Sequence, residues 1–130
     1  MLITKLYPLA VAPVDYQQLW LDMLSSTFDE VDIDSIVLEC ELKPVADFRA
    51  YLLEAMTDWL EHDLSIVVGM SSENVLSRLP PLVHTNGFLN DGYHRVAACM
   101  LTGVVDYHCV NLSDVVKKLK NRETHEKSDN

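Results

Sequence analysis

The 130-residue sequence has only four glycines, three cysteines and ten Lys or Arg, against twenty Asp or Glu. Scarce glycine without a repeat period excludes collagen-like and solenoid architectures, and the absence of low-complexity tracts argues against wholesale disorder. No apolar run approaches the roughly 20 residues of a membrane-spanning helix. A signal peptide is not expected either, because Tyr7-Pro8 and Pro13 interrupt Leu9-Ala10-Val11-Ala12 and no basic segment precedes them. Cys40, Cys99 and Cys109 are odd in number, far apart and without a C-x-x-C pair. They write neither a disulfide framework nor a thiolate zinc site, so three buried thiols and a cytoplasmic setting are expected.

Positive charge is scarce in the body of the chain. Residues 1–116 hold five basic groups (Lys5, Lys43, Arg49, Arg78, Arg95) and seventeen acids, whereas residues 117–130 hold five basic groups and three acids. A body with so few cations has little to neutralise a phosphate backbone, and a basic tail is more often simply solvated, so duplex DNA is a poor first candidate as partner. The apolar share is ample for a core: 48% of the residues are hydrophobic. A chain this long suits one domain burying about two-thirds of its unfolded surface.

Periodicity supplies the elements. Tyr16, Leu19, Trp20, Met23 and Leu24 predict a helix over 15–24, followed by an acidic connector at 29–34. Ile36, Leu38, Cys40 and Leu42 alternate with Val37, Glu39, Glu41 and Lys43, predicting a strand closed by Pro44. Asp47 is the expected N-cap of a helix whose stripe runs through Phe48, Tyr51, Leu52, Ala55, Met56, Trp59 and Leu60. Leu64–Met70 reads as a buried strand, and 71–78 as a loop or short helical turn. Asn86-Gly87 between two apolar arms is a type I′ hairpin signal. Tyr93–Thr102 reads as a helix with Gly103 after its end, Val104–Val110 as a strand, and 114–120 as a last helix capped by Asn111 or Ser113. Residues beyond 120 read as a frayed polar tail. Strands interleaved with helices predict an α+β or α/β domain with a small mixed sheet.

One stretch carries chemistry. Asn90-Asp91-Gly92-Tyr93-His94-Arg95 lies where a strand passes into a helix, whose first amides lack internal partners and whose dipole favours anions. Gly92 offers close backbone approach, and His94 and Arg95 add donors, together suggesting a phosphate seat. Asp91 is placed to hold Mg²⁺ beside that phosphate or to orient His94. His84, His108 and Asp106 offer further ligands, although their spacing specifies no metal site.

Leu42-Lys43-Pro44, the amphipathic helix after it, Pro80-Pro81-Leu82-Val83 and the Asn90–Gly103 stretch together resemble the ParB/sulfiredoxin superfamily. Its members open a helix of small residues with D-G-x-H-R or a near variant, matched here by Asp91-Gly92-Tyr93-His94-Arg95 and then Val96-Ala97-Ala98. The resemblance implies a ParB/sulfiredoxin-like α+β fold over 35–116, with an N-terminal extension at 1–34 and a flexible tail at 117–130. It also implies a nucleotide-phosphate cradle lined by Gly92, Tyr93, His94 and Arg95, with Asp91 beside it. Sulfiredoxins place their nucleophilic cysteine just before the His-Arg pair. Tyr93 stands there, and a phenol cannot perform that sulfinic chemistry, nor is Cys99 one turn on a good substitute. Chromosome-partition ParB proteins continue into a helix-turn-helix domain, for which the roughly 20 residues left are too few. Small kinases and nucleases of the superfamily take an acidic base from elsewhere, and Glu39 and Glu41 are the candidates.

The first functional expectation is therefore a cytoplasmic enzyme that binds ATP or another nucleotide with Mg²⁺ and performs phosphoryl transfer or hydrolysis. Gly92 amides, His94 and Arg95 would stabilise the phosphoryl charge, Asp91 would help hold the metal, and Glu39 or Glu41 would activate the acceptor. The second is an inactive acidic interaction module, for example a DNA-mimicking inhibitor, whose negative field attracts a basic protein partner. A DNA nuclease ranks third, because so negative a body repels its substrate.

Overall fold

The alternation along 36–43 becomes β2 (Val37–Pro44), which buries Leu38 and Cys40 and exposes Val37. The computed structural model describes residues 2–128. β1 (Lys5–Pro8) pairs antiparallel with β2, and β2 pairs antiparallel with β5 (Asp106–Asn111). β5 runs parallel to β3 (Leu82–Thr85), which forms an antiparallel hairpin with β4 (Phe88–Asp91). The strand order is β1-β2-β5-β3-β4. Asn86 and Gly87 take φ of 50° and 96° at the hairpin tip, the left-handed pair that a type I′ turn requires.

Six α-helices accompany the sheet among the described residues: α1 (Val14–Ser25), α2 (Arg49–Met56), α3 (Glu61–Met70), α4 (Glu73–Leu76), α5 (Tyr93–Thr102) and α6 (Leu112–Ser128). Successive strand residues feed opposite layers. Leu82 and Cys109 join a core with Phe48, Leu52, Val67 and Val96. Val83 and Val110 join another with Leu38, Tyr16, Trp20 and Leu24. The molecule is thus an α+β unit with helices on both faces of a mixed sheet.

Several expectations need correction. Residues 64–70 form a helix, not a buried strand, and only Val67 of α3 is fully buried. The stripe from 48 to 60 is not one helix: a 3-10 turn (Val45–Phe48) leads into α2, which stops at Met56, and Leu60 swings into solvent. Asp47 caps nothing; it lies inside that turn. β1 and α1 are part of the same sheet and core as the rest, since β1 hydrogen-bonds β2 and α1 supplies Trp20 and Leu24. α6 starts at Leu112, with Asn111 Oδ1 accepting from the Ser113 N–H, and runs through residues read as a frayed tail; positions 129–130 lie outside the described residues. Among the described residues no helix is long and apolar enough to cross a membrane.

The three thiols are buried and free, and burial pushes Cys40 and Cys99 up to about 11 and Cys109 to about 12. So little thiolate at neutral pH leaves them packing groups, not nucleophiles.

His84 is the one buried polar side chain among the described residues. Its Nδ1 accepts from the Gly87 N–H at 2.9 Å, so the neutral ring carries its proton on Nε2, which has no partner in the protein. Phe48 packs on the ring, while Lys43 and Glu41 of β2 and Asp114 of α6 set the surrounding field. Burial, followed by Lys43, holds this imidazole below its ordinary value. The unfolded chain then takes up the proton first as pH drops. Stability from neutral His84 is complete above about 6.5 and is lost as pH falls toward the lowered folded value. His108 is lowered too, again mainly by burial. His84→Asn, whose amide oxygen can still accept from Gly87, is expected to flatten the dependence of the urea midpoint on pH between 7 and 5. An unchanged slope would refute the assignment.

Candidate functional site

β4 delivers Asp91 to the edge of the sheet, and Gly92 turns the chain into α5 with φ 112° and ψ 20°. Helical bonding begins with the Val96 N–H donating to the Gly92 carbonyl at 2.9 Å, and no side chain caps the helix start. The sequence suggested that the missing Cβ of Gly92 clears space for a ligand. The structure fills that space with protein: a Cβ there would lie 2.2 Å from Leu82 Cδ2 and 3.1 Å from Arg95 Nη2.

Arg95 is turned inward. Its Nη2 donates to Asp91 Oδ2 at 2.8 Å, and its side chain is only 13% exposed. The guanidinium carbon lies 5.9 Å from the centre of the Tyr16 ring, whose hydroxyl donates to the Pro81 carbonyl, and Nε finds no partner in the protein. An internal carboxylate therefore already neutralises much of this cation. The same contact bears on Asp91 as a Mg²⁺ ligand, because a guanidinium repels a divalent cation from the carboxylate it shares. Among the described residues no group of three or more His, Cys, Asp or Glu is assembled to hold a metal, His84, His108 and Asp106 included.

His94 faces outward and is firmly held. Its Nε2 lies 3.0 Å from Asp63 Oδ1, and the Trp59 ring stacks on it at 4.8 Å with 9° between planes. Asp63 is anchored in turn, since its Oδ2 accepts from the Leu60 N–H at the start of α3. That backbone donor, and then His94, hold the Asp63 carboxyl below the usual range. With Nε2 committed to the carboxylate, Nδ1 is the nitrogen left to meet solvent or a ligand. Neither Trp59 nor Asp63 was singled out from the sequence. They lie 35 and 31 residues from His94, and the apolar Leu60 at the head of α3 hides the capping pattern that would have marked Asp63.

Tyr93 serves the edge strand: its hydroxyl donates to the Leu89 carbonyl at 2.8 Å, and burial pushes its phenol above the ordinary value. Such a contact blunts an edge that would otherwise offer open carbonyls to another strand. Glu39 and Glu41 are not brought to this turn. β5 and β3 lie between β2 and β4, a separation of about 14 Å at the usual strand spacing. Glu39 pairs with Lys118 of α6 and lines a cavity of about 150 Å³ with Asn111 and Asp114. A wider cleft of about 610 Å³ lies along the acidic connector, against Asp29, Asp32 and Arg122. Neither hollow includes the Asp91–Arg95 turn.

Comparison with protein-family models, with curated proteins and with solved structures finds no match for the chain.

Proposed function

We propose that this is a ParB/sulfiredoxin-like protein that receives the phosphate of a nucleotide such as ATP at the start of α5, as a prelude to phosphoryl transfer or hydrolysis. The observation that carries the reading is His94, a one-third-exposed imidazole locked by Asp63 and Trp59 in the first turn of a helix with no side-chain cap. Uncapped amides at a helix start are what an anion needs, and Asp63 and Trp59 hold the ring in place beside them. Acid–base work at the bound phosphate falls in this reading to His94, with Asp63 as its positioning residue, because Glu39 and Glu41 lie strands away. Calorimetry with Mg-ATP tests it. His94→Ala should weaken binding by about tenfold, and Asp91→Asn, which releases Arg95, should strengthen it several-fold. Absence of binding at millimolar nucleotide by both the unmodified protein and Asp91→Asn would end the proposal.

A second reading, the acidic interaction module, draws on the same turn. Arg95 faces Asp91 and His94 faces Asp63, so the turn bears no net positive charge even when the imidazole is protonated. On this reading both pairs brace the fold, and the negative surface docks on a basic protein.

A further inference from the structure

α3 is an unusual helix for so small a protein, because it exposes a straight apolar stripe. Leu64 and Val68, one turn apart within it, and Leu60 at its N-cap are 52%, 69% and 73% exposed. The helical pair spans about 6 Å of the axis. Residues 50–77 around it contain Glu54, Asp58, Glu61, Asp63 and Glu73 and not one Lys or Arg. An apolar ridge beside the exposed carboxylates of Glu54, Asp58, Glu61 and Glu73 selects its complement by both properties.

We infer that the exposed side of α3 is a docking face for a cationic amphipathic helix of a partner protein, one that carries Leu or Ile at i, i+4 spacing between Lys and Arg. Helix-on-helix seating buries the stripe, and the flanking cations meet the carboxylates. A second copy of this chain fits poorly, since a two-fold contact sets the same acidic frame against itself in a molecule of net charge −10. The chain's own basic helix α6 is spent, because Val115, Val116 and Leu119 already pack on the core. Anionic lipid is repelled by the same acids.

The face supplies the partner for the second reading above and is independent of nucleotide binding. The probe is a synthetic helix of about five turns with a Leu stripe flanked by Lys, titrated into the full chain at physiological salt, alongside a scrambled peptide of identical composition. The amphipathic peptide should bind at least about tenfold more tightly than the scrambled one. Leu64→Asp and, separately, Val68→Asp should each weaken it by about tenfold, while Leu101→Asp, at an equally exposed leucine of α5, should leave it within about twofold. Both α3 positions are exposed, so the variants should fold, which circular dichroism checks. Equal affinity for the scrambled peptide overturns the inference. Binding that persists in Leu64→Asp and Val68→Asp also overturns it, moving any acidic docking surface off α3 and leaving the second reading standing. A dimer in sedimentation that Leu64→Asp dissociates would assign the face to a second copy instead and overturn it too.

Discussion

Gly92→Ala is expected to destabilise the protein by about 3–5 kcal/mol, the largest effect of an added methyl group at any of the four glycines. Two costs combine. A φ of 112° lies where side chains rarely go, which costs about 1–3 kcal/mol. A Cβ placed 2.2 Å from Leu82 Cδ2 must also push a fully buried leucine, and overpacking of this kind costs a further 1–3 kcal/mol or so. Against the roughly 5–15 kcal/mol that holds a typical domain together, such a loss leaves little margin. Gly69→Ala is the matched control. Gly69 sits within α3 with nothing within 4 Å of its added Cβ, and alanine there should stabilise by up to about 1 kcal/mol. Urea denaturation of the two variants checks the pair. A loss below about 1 kcal/mol at Gly92 would show that the backbone turn is looser than described.

Asp91→Ala should cost about 2–4 kcal/mol, more than Arg95→Met. The asymmetry follows from exposure: the Arg95 side chain is 13% exposed and that of Asp91 33%. Removing the carboxylate strands a cation whose Nε already lacks a partner and whose other neighbour is the Tyr16 ring. Removing the cation leaves a carboxylate that water can reach, and methionine retains much of the packing against Tyr16. The double variant should then be more stable than Asp91→Ala alone, a coupling measurable by a double-mutant cycle from denaturation midpoints. Strict additivity of the two substitutions would show that the ion pair contributes nothing.

Much of the sheet was legible from local pattern. The alternation along β2 and the Asn86-Gly87 tip place three of the five strands, because their signals are confined to a few consecutive residues. Two of the three left-handed glycines, Gly92 and Gly103, bracket α5 where the sequence set its limits. α3 was misread because Ile66-Val67-Val68 is β-branched and the apolar run is short, a length at which periodicity cannot separate a buried strand from a helix. Three things decide for helix: the Asp63 carboxylate on the Leu60 amide, the break at 57–59, and a stripe turned outward. At the candidate site the motif located the turn but not its wiring. Nothing near His94 in sequence points to Asp63 or Trp59. Arg95, the only basic residue of the motif, turned out to answer the carboxylate four residues before it, a helical spacing that also suits a plain ion pair.

The strand order has a consequence for how the chain comes together. β5, the middle strand of the five, is the last to be made during synthesis. Until residues 106–111 leave the ribosome, the β1–β2 pair and the β3–β4 hairpin have no strand to join them, and the sheet stays in two parts. Assembly is therefore a late, nearly all-or-none closure around one segment, and a nascent chain stalled before it has two unjoined parts for a chaperone to shield.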